Sequence, residues 1–193
     1  MALSSCTEVN PAEGRQLLGI ARRSVEAGLE GARAPNLDRE GLRGTLATPR
    51  GCFVTLTRNG ELRGCMGMIE PPGALAQNTA DSAFNAAFRD PRFTPLAPAE
   101  AAQTHIEVSV LSGMEPMTVR DRDDLLRQLQ PGIDGLLLED GRYRSVFLPQ
   151  VWEKMGSAPE FLQRLLKKAG LPGDHWSGTL RFSRFHVASF SEE

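Results

Sequence analysis

With 193 residues, a formal net charge of -2 and a pI near 6.0, the chain has no surplus of cations to neutralise a nucleic-acid backbone. It is 40% hydrophobic and 24% charged, ordinary for one globular domain, and no apolar run approaches the ~18 residues of a membrane span. Its three cysteines (Cys6, Cys52, Cys65) form no Cys-x-x-Cys pair, which argues against a disulfide framework, a structural zinc or an iron–sulfur cluster, and its three lysines (Lys154, Lys167, Lys168) lie on amphipathic stretches unsuited to a buried Schiff base.

Asn10-Pro11-Ala12-Glu13 predicts a capped helix start, followed by Leu17, Leu18, Ala21, Val25 and Leu29 at helical spacing and a stop between Gly28 and Gly31. The segment to Pro49 lacks periodicity and reads as loop with one turn of helix. From Gly51 the pattern turns to period two: Cys52 to Thr57 is a strand, Asn59-Gly60 a hairpin turn and Leu62 to Ile69 the returning strand. Ala74 to Phe88 is helical, and its Ala80, Ala83, Ala86 and Ala87 call for something packed close to its backbone. Asp90-Pro91 ends it, since a residue before proline avoids the helical region.

Thr104 to Leu111 alternates, with Ile106, Val108 and Val110 on one side and His105, Glu107 and Ser109 on the other. Asp121 to Gln130 reads as a helix, Gly135 to Leu148 as a second hairpin turning at Asp140-Gly141, and Ser157 to Lys168 as a helix opened by a capping box and stopped by Gly170. Leu180 to Phe190 is a last strand. Trp152, Phe147 and Phe161 fall at core spacing, and Trp176 suits a cap on the core more than a partner contact. Hairpins interleaved with helices predict an α+β fold, a mainly antiparallel sheet with flanking helices, over residues 10–190. Neither a dinucleotide-binding glycine fingerprint nor a Walker loop is present, so no cofactor is expected.

The chemistry-bearing stretch is Leu62-Arg63-Gly64-Cys65-Met66-Gly67. Simple alternation puts Arg63, Cys65 and Gly67 on one face, and Leu62, Gly64, Met66 and Met68 on the core side. A guanidinium beside a thiol favours the thiolate, and glycines within a strand mark close approach by a ligand or a backbone. Equally, Gly64 and Gly67 could form a bulge with Cys65 a small buried hydrophobe. Asn85, Asp90 and Arg92 follow on the next helix and turn; Arg92 could supply a second cation, although an Asp-Pro turn is commonly structural. Glu107 and Ser109 could add a proton-transfer group and a polar contact. His105, His175 and His186 lack ligand spacing, so no metal is expected.

Together, Gly51-CFVTL, Leu62 to Gly67, Ala86-Ala-Phe-Arg-Asp-Pro-Arg-Phe93, Ile106 to Leu111, Leu136 to Val151 and Phe161 to Pro172 resemble the AMMECR domain family, whose prokaryotic members are called AmmeMemoRadiSam system protein A. The match runs from about Pro11 to Phe190 in the same order, with Met66 where the family signature has isoleucine. The resemblance implies an α+β domain in two unequal lobes. It also implies partners: family members are often encoded beside a Memo-like protein and a radical SAM enzyme.

Two functions remain open. In one, the protein is a cytoplasmic accessory component whose Arg63, Gly64, Gly67, Asn85, Asp90, Arg92 and Ser109 receive a small anionic ligand. In the other it is an enzyme, with Cys65 as activated thiol, Arg63 as anion holder and Glu107 and Asp90 as proton-transfer or orienting groups. The first is favoured, because no base adjacent to the thiol is evident in the chain.

Overall fold

The computed structural model describes residues 9–37 and 41–192; Cys6 lies outside them. The first helix, α1 (Pro11–Leu29), begins as its cap chemistry requires. The Asn10 side chain accepts from the Ala12 and Glu13 amides, and Glu13 returns a carboxylate oxygen to the Asn10 N–H at 3.1 Å. Such a cap is worth about 1 kcal/mol. Leu17, Ala21 and Val25 are fully buried along one stripe.

Strands β1 (Cys52–Arg58) and β2 (Glu61–Met68) form the first hairpin, turning at Asn59 and Gly60 with φ of 53° and 82°. Both values are positive, as a two-residue turn matched to strand twist demands. Helix α2 (Leu75–Phe88) follows, then β3 (Thr104–Leu111). The alanines of α2 are buried, and Ser24 of α1 donates to the Ala80 carbonyl at 2.7 Å, so the small residues do admit a close neighbour.

Next come β4 (Glu115–Met117), α3 (Arg122–Gln128), β5 (Gly135–Asp140), β6 (Tyr143–Phe147) and α4 (Ala158–Lys168). The chain closes with β7 (Arg181–Phe185) and β8 (Val187–Ser191). Two four-stranded sheets result, ordered β2-β1-β3-β8 and β4-β7-β5-β6. The chain divides into two units of unequal size: one runs up to Ser112 and takes back the chain from Ala188, the other is Gly113–Val187. In the second unit Trp152 stacks on Phe161 with centroids 3.8 Å apart, and its indole N–H donates to the Asp134 carbonyl at 2.7 Å. Trp176 stacks on Phe182 of the same core.

The expected α+β fold with antiparallel strands and flanking helices is realised as two sheets. Two expectations need correction. The single strand expected from Leu180 to Phe190 is two strands, because Phe182 packs into one core whereas Phe190 lies over Gly14 in the other. The alternation is extended on both sides of His186 and carries no mark of the change of core. Finally, Ser157 accepts from the Glu160 amide at 3.4 Å, but Glu160 reaches the Gly156 N–H instead of the cap's own amide, so that capping box is incomplete.

Candidate functional site

Strand β2 is an edge strand, paired only with β1. Its register is regular from Met68 opposite Cys52 to Gly64 opposite Leu56, and then slips: Leu62 faces Thr57, and no β1 residue is opposite Arg63. Arg63 is thus the extra residue of a β-bulge. A one-residue slip moves the side chains that follow it to the other face. Leu62, expected on the core side, is accordingly 44% exposed, and Met68 at the other end is 46% exposed. Of that set, Met66 packs its side chain against the core and Gly64 is buried there.

The glycines serve packing. A Cβ at Gly64 would overlap the Ala86 carbonyl oxygen of α2, and one at Gly67 would overlap the Cys52 carbonyl and Phe53. At these two positions backbone meets backbone, which accounts for both glycines by packing.

The bulge aims Arg63 away from the sulfur and towards the 3-10 turn Pro98–Gln103. Its Nε donates to Glu100 Oε1 at 3.0 Å and its Nη2 to Oε2 at 2.9 Å, and Nη2 also meets the Thr94 carbonyl at 3.0 Å. Arg58 adds a bond to Glu100 Oε1 at 2.7 Å. A two-pronged guanidinium–carboxylate pair is among the strongest side-chain contacts available. Arg63 Nε and Nη2 are thereby taken up by the protein's own carboxylate, while its buried Nη1 has no hydrogen-bond partner among the described residues.

The Arg63 hydrogen bonds, then the Ala97 amide, bring the Glu100 carboxyl down to about 2. A depressed carboxyl contributes stability that is complete above its ordinary value of 4.5 and is lost as pH falls towards 2. Chemical denaturation of Glu100→Gln between pH 6 and 2 should therefore show a shallower acid slope than the wild type. An unchanged slope would mean that the pair does not persist in solution.

Cys65 is half-buried, and the Thr55 hydroxyl, directly across the ladder, donates to its sulfur at 3.4 Å. Its outward edge is held by the turn after α2. The Cys65 N–H donates to Asp90 Oδ2 at 2.9 Å, and its carbonyl accepts from Arg92 Nη2 at 3.2 Å. Arg92 in turn grips Asp90 through Nε and Nη2 at 2.9 and 2.6 Å. Asp90 and Arg92 thus satisfy the edge peptide where a further strand would otherwise have bonded it, a recognised way of blunting a sheet edge. The Arg92 bonds, then the Cys65 and Arg92 amides, hold the Asp90 carboxyl far below the usual carboxylate range. The Asp90 side chain is 2% exposed, whereas that of Arg92 is 54% exposed.

The structure brings Cys65, Asp90 and Arg92 together. Glu107 lies one strand further on, opposite Thr55, in the row Cys65–Thr55–Glu107. Two ladder spacings put it about 10 Å from Cys65. Its carboxylate accepts from Ser109 at 3.2 Å and Ser191 at 3.3 Å, and Ser109 is buried against Ser189 at 2.9 Å. Neither contacts the thiol. Asn85 also stands apart, lining a hollow with Arg33 and Arg89.

Thr55 and Glu100 were not singled out from sequence. Thr55 reads as one more strand residue; only the pairing of β1 with both β2 and β3 places it between thiol and carboxylate. Glu100 reads as a helix-start acid. In the second unit Asp140 gathers His175, Ser177 and Thr179 at 2.8, 3.0 and 2.6 Å. There the serine hydroxyl donates to the carboxylate and not to the imidazole, so the order of a nucleophile–base pair is absent.

The fold and site define a class: an α+β protein of two antiparallel sheets, with a partly exposed cysteine on a bulged edge strand whose peptide is clasped by an Asp-Pro-Arg turn. The AMMECR1 family profile matches residues 18–190. A protein of Methanothermobacter thermautotrophicus is 40% identical over 183 residues, covering 94% of this chain and 95% of its own length. One from Thermofilum pendens is 40% identical over 192 residues, covering 93% and 90%. The crystal structure of the uncharacterised protein PH0010 from Pyrococcus horikoshii superposes with a TM-score of 0.82 at 33% identity, covering 96% of this chain and 94% of that one. The chain belongs to the AMMECR1 family. Among the described residues no helix is long and apolar enough to cross a membrane.

Proposed function

We propose that the protein is an accessory, ligand-binding component that works with Memo-like and radical SAM partner proteins in the cytoplasm, and that the Cys65 region receives a small anionic group. The observation that carries this reading is the commitment of the ionic groups around the thiol. Arg63 is bound to Glu100, and Asp90 is bound to Arg92 and the Cys65 amide. A nucleophilic cysteine needs a base within hydrogen-bond reach, and the side-chain partner of this sulfur is the Thr55 hydroxyl. Both guanidinium groups are paired with a carboxylate, but the Arg92 side chain is 54% exposed and that of Arg63 only 12%, so the cation able to face a ligand is Arg92.

The test is capture of the Memo-like and radical SAM proteins of the same genome by tagged protein, with mass spectrometry of any small molecule retained. Arg92→Lys keeps the charge but loses the planar fork, and should reduce retention about tenfold, the loss of one charge-assisted bond. Cys65→Ser should bind as the wild type does. Failure of both partners to co-purify, or equal retention by Arg92→Lys, would overturn the proposal.

The partial exposure of the Cys65 thiol favours a second reading, a thiol enzyme in which Cys65 reacts directly. Iodoacetamide labelling of a variant retaining only Cys65 separates the two. Labelling at pH 6 no faster than that of an unfolded-peptide thiol would remove the enzyme reading. Loss of function in Cys65→Ser with partner capture intact would favour it.

A further inference from the structure

We propose that the hollow formed by Arg33, Met68, Asp81, Phe84, Asn85 and Arg89 is a binding site for a small oxyanion carried on a compact apolar body. It uses none of Arg63, Cys65 or Glu107 and does not depend on the reading above. The hollow measures about 500 Å³, within the range of small-molecule sites.

Three elements build it. Asp81, Phe84, Asn85 and Arg89, at positions i, i+3, i+4 and i+8, share the outward side of α2 and its C-terminal cap, opposite the alanines that face the core. Met68 closes β2, and Arg33 comes from the loop after α1.

What marks the hollow is two guanidinium groups with unmet bonding capacity gathered beside an apolar wall. Four other guanidinium groups in this unit are paired with carboxylates: Arg22 with Glu192, Arg58 and Arg63 with Glu100, and Arg92 with Asp90. Here, among the described residues, the Arg33 guanidinium and the Asn85 amide have no protein hydrogen-bond partner, and Arg89 rests on the Phe84 ring at 5.2 Å with its N–H donors unclaimed. Asp81 gives one oxygen to Gln77 at 3.0 Å.

Two guanidinium groups against one carboxylate leave a positive surplus. An arginine fork matches the paired oxygens of a carboxylate or phosphate. The amide of Asn85 can donate to the same head. Met68, 46% exposed, and the half-buried Phe84 ring supply an apolar wall beside these donors. An exposed methionine next to unsaturated cations suits a ligand with a charged head and a short hydrophobic arm.

The experiment follows the Met68 methyl signal in protein labelled with 13C-methyl methionine, assigned by Met68→Leu, during titration with phenyl phosphate, benzoate and inorganic phosphate. Saturable movement of that signal is expected, with phenyl phosphate or benzoate about tenfold tighter than inorganic phosphate because the arm is buried as well as the head. Which of the two aromatic probes binds tighter identifies the head group, and either order supports the site. Arg33→Gln and Arg89→Gln should each weaken binding about tenfold, and Arg15→Gln, on the exposed side of α1, should leave it unchanged. Thermal melts of the variants check that each is folded. The proposal falls if Arg15→Gln weakens binding as much as Arg89→Gln, which would signal a general charge effect, or if the Met68 methyl shows no saturable shift.

Discussion

Gly64→Ala should lower the unfolding free energy by about 3 kcal/mol, the upper end of the overpacking range. The new methyl would overlap the Ala86 carbonyl oxygen, which is backbone inside a buried helix turn and has no rotamer with which to yield. Either the α2 turn shifts from its partner alanines or β2 separates from β1. Both outcomes cost packing between fully buried surfaces. Gly178→Ala is the matched control: a Cβ there meets nothing within 4 Å, so its effect should stay within about 0.5 kcal/mol. Urea denaturation of the two variants decides the point. A Gly64→Ala protein as stable as the control would mean that the close strand–helix contact is not a feature of the molecule in solution.

Asp90→Ala is expected to lower stability by about 2–3 kcal/mol and to release the Cys65 amide to hydrogen exchange. The substitution removes four bonds: to the Cys65 N–H, to the Arg92 N–H, and to Nε and Nη2 of the Arg92 side chain. An amide left without its acceptor carries a desolvation penalty. The value is kept modest because the cation left behind is more than half exposed and is readily hydrated. The pH dependence has a definite sign. The folded-state carboxyl lies far below its ordinary value of 3.8, so its contribution is complete above that value and is lost only as pH falls below it. Asp90→Ala should therefore lose its stability deficit relative to the wild type only under strongly acid conditions. If exchange at Cys65 is as slow in Asp90→Ala as in the wild type, the clasp is not what protects this edge.

The two substitutions bear on function differently. Gly64→Ala tests whether the glycines exist for packing, which is what the contacts at Ala86 and Phe53 indicate. Asp90→Ala tests whether the Asp-Pro-Arg turn presents the Cys65 peptide in a fixed geometry, on which the proposed ligand contact at Arg92 depends. A protein that loses partner capture on Asp90→Ala while retaining its fold would tie presentation of that peptide to binding.

Much of this was legible residue by residue. The Asn10 cap, the Asn59-Gly60 turn, the alanine face of α2 and the alternation of β3 are local signals, set by φ preferences, short-range hydrogen bonds and periodic burial, and all appear where expected. The AMMECR resemblance, carried by ordered motifs over most of the chain, likewise needed no coordinates. The pairing of functional groups was not legible. Arg63 sits two residues from Cys65 in sequence, yet the bulge turns it to Glu100, 37 residues away along the chain. The cation placed on the Cys65 peptide comes instead from Arg92, 27 residues away. Period-two reading assumes an unbroken register, and a bulge depends on what the neighbouring strand and helix can accommodate. Thus helix starts, hairpin turns and family followed from neighbours along the chain. The partner of each charge, the break at His186 and the filling of the glycine gaps followed from neighbours across the fold, because burial and hydrogen-bond satisfaction are settled only when distant segments meet.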